Sequence, residues 1–171
     1  WGLRSPGIVR PPALAFADRG RMYWRTDPSG DVVLADLERR MIGASFQLPL
    51  DTVIEWSASA RGRVYAVGSL GGQPTALAFT GLGEELWRWS DPAIVERWSS
   101  ACPPAVSDEG RVLFFGESEV VALRRGGVQW WGRVPGRGTL RGAILSDGAS
   151  LVVRGSVLHH FDPSGNAVFE V

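Results

Sequence analysis

The sequence predicts an all-β fold made of four consecutive four-stranded antiparallel meanders. Three observations predict it. Short apolar runs rich in β-branched and aromatic residues, too short for independent helices, alternate with glycine and polar breakers along the 171 residues. A glycine-led phrase opens a strand four times, as Gly20-Arg21-Met22-Tyr23, Gly62-Arg63-Val64-Tyr65, Gly110-Arg111-Val112-Leu113 and the weaker Gly148-Ala149-Ser150-Leu151, at intervals of about forty residues. An aromatic residue closes each unit: Phe46, Trp87, Trp130 and Phe169. Four strands at that period are the signature of β-propeller blades, here a partial or small propeller.

The elements follow in order within a single domain spanning 1–171. Residues 1–10 read as a tail or linker from a preceding blade, because Trp1-Gly2 up to Pro11 matches Trp131-Gly132 up to Arg141. The repeats are approximately 11–48, 53–90, 103–134 and 141–171. Their first strands are expected at Pro12 to Phe16, Val53 to Ser57, Pro104 to Ser107 and Gly142 to Ser146; the second strand follows each recurring glycine. Third strands are expected at Val33 to Leu37, Ala76 to Phe79, Val121 to Leu123 and Val157 to Phe161. In the third repeat Glu117 to Glu119 and Arg124 to Gly127 are the turns, with Gly126 and Gly127 able to take positive φ without steric strain. Asp27-Pro28-Ser29-Gly30 and Asp162-Pro163-Ser164-Gly165 place Pro and Gly where a type I turn wants them, and they offer too few oxygens for a calcium loop. Asp91-Pro92 suits the start of one helical turn. Trp98, four residues past Ile94, either packs under that turn or projects as an interface anchor.

A lone meander cannot bury both faces, so blades must stack face to face around an axis. The closing aromatics are expected to fill the wedges between blades, each contributing about 1.5–3 kcal/mol by area. Four blades either close on themselves or, the reading preferred here, form part of a ring of about seven or eight. Blade faces left open would drive dimerisation, unless further blades complete the ring.

Pro104-Ala105-Val106-Ser107-Asp108-Glu109-Gly110-Arg111-Val112-Leu113, then Val121-Ala122-Leu123, then Gly127-Val128-Gln129-Trp130, resembles the tryptophan-docking repeat of quinoprotein (PQQ-like) propellers. The resemblance spans the chain and is strongest in the third repeat. It implies that a closing Trp links one blade to the next, and it suggests a bacterial, periplasmic or extracytoplasmic setting. It also raises the alternative that the chain belongs to a quinone (PQQ)-dependent dehydrogenase. Enzymes of that family require a vicinal disulfide, an acidic base and calcium ligands. The single Cys102 cannot form that disulfide, and no Asp or Glu here matches those positions by motif.

Composition excludes several classes. A formal net charge of +0 implies no global attraction to nucleic acid or anionic membrane. No apolar run is long enough to span a membrane as a helix. The chain opens at Trp1 without a secretory leader, so a fragment or processed chain is expected. One cysteine supports neither an internal disulfide nor a structural zinc site. His159 and His160, adjacent on a strand, point to opposite faces and cannot chelate one metal together. With no convergent chemical site, the expectation is that the chain is not an enzyme and uses no cofactor or metal. It is instead a scaffold or sensor that binds a protein or peptide through a loop face. Charge on that face is segregated: Arg4, Arg10, Arg133, Arg137 and Arg141 against Asp51, Glu55, Asp91 and Glu96. The expected partner-binding residues are those five arginines and Trp98.

Overall fold

The structure, a computed structural model, describes residues 14–17, 20–25, 31–99 and 102–171. Among these residues every regular element is a strand. Blade 1 contains β1 (Leu14–Ala17), β2 (Arg21–Arg25), β3 (Asp31–Asp36) and β4 (Met41–Gln47). Blade 2 contains β5 (Thr52–Ala58), β6 (Val64–Leu70), β7 (Gln73–Phe79) and β8 (Glu85–Trp89). Blade 3 contains β9 (Ala105–Val106), β10 (Arg111–Phe115), β11 (Glu119–Arg124) and β12 (Gly127–Arg133). Blade 4 contains β13 (Leu140–Ile144), β14 (Ser150–Arg154), β15 (Val157–Phe161) and β16 (Ala167–Glu170). In each sheet the strands lie in chain order, all antiparallel.

The recurring glycine has a conformational cause. Gly20, Gly62, Gly110 and Gly148 close the turns between first and second strands at φ of 65°, 75°, 81° and 87°, where an L side chain costs roughly 1–2 kcal/mol. The turns of blades 2, 3 and 4 share one bonding pattern: the N–H groups of Gly62, Gly110 and Gly148 donate to the carbonyls of Ser59, Ser107 and Leu145 at 2.9, 3.0 and 3.0 Å.

First strands pack in sequence, β1 on β5, β5 on β9 and β9 on β13. They therefore form the inner edge of the stack. An apolar layer lies between each pair of blades: Tyr23, Val64 and Leu77 between blades 1 and 2, Tyr65, Val112 and Phe114 between 2 and 3, Leu113, Trp130 and Val152 between 3 and 4. The Tyr23 hydroxyl donates to the Gly62 carbonyl at 3.1 Å, so this buried polar group is satisfied across the blade boundary.

The closing aromatics dock as expected in three cases. A Cβ built on Gly83 would lie 2.6 Å from Phe46, one on Gly126 3.0 Å from Trp87, and one on Gly165 2.4 Å from Trp130. Each aromatic thus rests on a side-chain-free turn of the next blade. Rings complete the layers, Phe46 with Phe79 at 5.7 Å, Trp87 edge-on to Phe114 at 6.2 Å and Trp130 stacked on Phe161 at 5.4 Å. Phe169, on the outer side of blade 4, is 45% exposed and packs on His160 of its own sheet at 4.9 Å.

Several local expectations change. Glu119 is not in a turn but begins β11, 7% exposed, because an ion pair and hydrogen bonds to Ser118 satisfy its carboxylate. Positive φ in the next turn falls on Arg125 and Gly126, not Gly127. The first strand of blade 3 shrinks to Ala105–Val106, since Pro103 and Pro104 have no N–H for a ladder. The turn at Asp162 forms as read, Gly165 N–H donating to the Asp162 carbonyl at 3.0 Å; that at Asp27 lies outside the described residues. His159 and His160 do face opposite ways, pairing with Val152 and Leu151 respectively.

Candidate functional site

A meander reverses direction at every strand, so its connections alternate between two ends of the blade. The linkers between blades and the turns between second and third strands share one end. The turns between first and second strands, and between third and fourth, share the other.

The linker end holds the residues singled out in the sequence. Arg4 and Arg10 lie outside the described residues. Trp98 is 3% exposed: it forms an isolated bridge to Gly116 and packs on Trp89 and Phe114 at 6.1 and 5.9 Å. It is core here, not a projecting anchor. The turn before it is capped as Asp91 suggested, with the Asp91 carboxylate accepting from Ala93 N–H at 3.0 Å. Arg133 faces Glu119 across the sheet, Nε to Oε1 at 3.4 Å. Arg137 and Arg141 are exposed. Their linker is fixed from behind by Arg154, which donates to the carbonyls of Val134 and Glu117. Two acids of this end are engaged: Asp51 accepts from Gly71 N–H at 2.6 Å, and Glu117 pairs with Arg97 at 3.8 Å.

Tertiary structure adds Cys102 to this end, its Sγ–H donating to the Pro103 carbonyl at 3.4 Å. Burial pushes its thiol above the ordinary value, the Arg141 charge opposes that shift, and Glu55 adds to it. The thiol is therefore protonated and a poor nucleophile near neutral pH.

The opposite end carries a cleft of about 420 Å³ between blades 1 and 2, unforeseen from the sequence. Its cause is a longer outer hairpin. Trp87, Trp130 and Phe169 each stand four residues past a turn glycine of positive φ, whereas Phe46 stands six past Arg40, the positive-φ residue of its turn. The β3–β4 hairpin therefore overhangs by one pleat repeat, and its wall faces the turns of blade 2. The signals available beforehand were that extra length and one apolar residue outside the expected strands, Leu82.

No family model and no curated protein sequence matches the chain. Solved structures do. A streptogramin B lyase aligns with a TM-score of 0.67 at 14% identity, over 94% of this chain and 53% of that one. Virginiamycin B lyase from Staphylococcus aureus aligns at 0.66 and 14%, over 94% and 54%. A nidogen/laminin complex aligns at 0.62 and 9%, over 96% and 64%. The chain thus spans between 53% and 64% of the length of these proteins. At such identities the likeness concerns fold alone. It also corrects one expectation, that the chain is not an enzyme: structures of the same fold include lyases. An active site gathered from loops of separate blades leaves no contiguous motif, so the lack of one in the sequence was no ground for that exclusion. By its sheets and by its structural neighbours, the chain is a run of four β-propeller blades.

Proposed function

We propose that these blades form a binding module that engages an acidic protein or peptide segment through the linker end. The observation that carries this reading is the pair Arg137 and Arg141. Both are exposed and make no ion pair among the described residues. The backbone is anchored before Arg137 by Val134 N–H to the Ser118 carbonyl at 2.9 Å, and next to Arg141 by Leu140, 1% exposed in the core. Guanidinium groups on a rigid frame recognise carboxylates with little ordering entropy and with fork geometry. A nidogen/laminin complex among the structural neighbours supports protein binding as a use of this fold.

The test uses a fluorescein-labelled Glu/Asp-rich dodecapeptide and its Gln/Asn counterpart, read by anisotropy at two salt concentrations. The acidic peptide is expected to bind, with affinity falling as salt rises. Arg137→Glu with Arg141→Glu is expected to weaken binding about tenfold or more. Equal affinity for both peptides, or no effect of the double substitution, overturns the proposal.

A further inference from the structure

We infer that the cleft between blades 1 and 2 is a second binding site, one that takes a small organic anion with an apolar body. The inference is independent of the linker-end reading, because the two sites lie at opposite ends of the blades.

The cleft combines two features. The first is apolar surface: Met41 and Leu82 are 61% and 70% exposed at its rim, and Leu34 with the ring of Tyr23 lies deeper. Isolated exposed apolar residues need no explanation, but here they converge from two blades on one concavity. The second is charge. Arg21, Arg39 and Arg61 line the same space, against one acid, Asp36. Asp36 is already engaged, accepting from Arg39 N–H at 2.9 Å and pairing with Arg39 Nε at 3.7 Å. Arg21 and Arg61 have no ion pair among the described residues, so the cleft carries an excess of positive charge.

The size is that of a small-molecule site, since such clefts run from about 300 to 1,000 Å³. Its walls are also set. Tyr23 is 1% exposed and held to the Gly62 carbonyl at 3.1 Å. Gly81 leaves the floor open, since a Cβ there would lie 2.2 Å from the Tyr23 hydroxyl. An occupant would lay its apolar body over Tyr23, Leu34 and Met41, and direct its carboxylate or sulfonate to Arg21 and Arg61. A neutral ligand would leave those guanidinium groups uncompensated, and a cation would be repelled.

The probes are 2-naphthylacetate, its uncharged amide, and 1-anilinonaphthalene-8-sulfonate, titrated into the folded chain by calorimetry and fluorescence. Saturable one-to-one binding of the two anions is expected, with the amide about tenfold weaker. Arg61→Glu and Leu82→Asp, both at exposed turn positions, are each expected to weaken anion binding about tenfold, while Arg137→Glu leaves it unchanged; circular dichroism verifies that each variant is folded. No saturable binding, equal binding of acid and amide, or insensitivity to Arg61→Glu in a folded variant overturns the inference. Loss of acidic-peptide binding alone bears only on the linker end.

Discussion

The contact between a closing aromatic and a bare glycine turn is the smallest unit of this fold. Gly72 and Gly165 both have positive φ, 76° and 88°, so alanine strains either backbone by about 1–2 kcal/mol. They differ in surroundings. A Cβ on Gly72 meets nothing within 4 Å, whereas one on Gly165 meets the Trp130 ring at 2.4 Å. Gly165→Ala is therefore expected to destabilise by a further ~1–3 kcal/mol relative to Gly72→Ala, as overpacking does, with urea unfolding as the measurement. Equal losses would mean that the docked indole adds no packing constraint. The recurring Gly and aromatic positions were legible in the sequence because each is a local demand repeated at a fixed period. Trp98 was not, because its position among Trp89 and Phe114 depends on the path of a linker that no repeat predicts.

Turns and hairpins decide where the blades begin and end. The Asp162 turn is held by its carboxylate, which accepts from the Asn166 amide side chain at 2.9 Å and from Asn166 and Ser164 N–H at 2.9 and 2.8 Å. These bonds, that of the Asn166 side chain first, hold Asp162 below its ordinary pKa of 3.8. A lowered folded-state pKa means that this support is fully present above the ordinary value and is lost as pH falls through the lowered one. Amide protection at Asn166 is expected to fall over that acid range in the wild type and to be low and pH-independent there in Asp162→Ala; unchanged protection in the variant would refute this role. At the same scale, the turn type at Asp162 was readable from Pro163 and Gly165. The longer β3–β4 hairpin was visible only as a spacing, and its overhang appears once Val32 is found opposite Phe46 while Ala78 lies opposite Trp87.

Across the molecule, three inter-blade layers repeat one design and the outer face of blade 4 displays the same parts without a cover. Phe169, Val153 and Val171 are 45%, 39% and 80% exposed. Leu151 holds the position that Tyr65 and Leu113 fill in blades 2 and 3, counted from the glycine turn. A continuous apolar sheet face of this kind favours association. The 171-residue chain studied alone is expected to self-associate with rising concentration, and Phe169→Arg is expected to shift it toward monomer in sedimentation velocity. An unchanged distribution would show that this face is not the contact.

Strand type, antiparallel order and the four-fold repetition were determined by the sequence alone, because period-two patterning, glycine at positive φ and proline in turns act within a few residues. The tertiary structure decided what those elements hold between them. Arg133 appeared as part of a basic sector until β11 brought Glu119 across from it. Arg21 and Arg61 belong to different repeats, and only the packing of blade 1 on blade 2 sets them around one cleft. Pairings between residues far apart in the chain depend on register and on the stacking of sheets, and neither has a local cause that a reading of the chain alone can find.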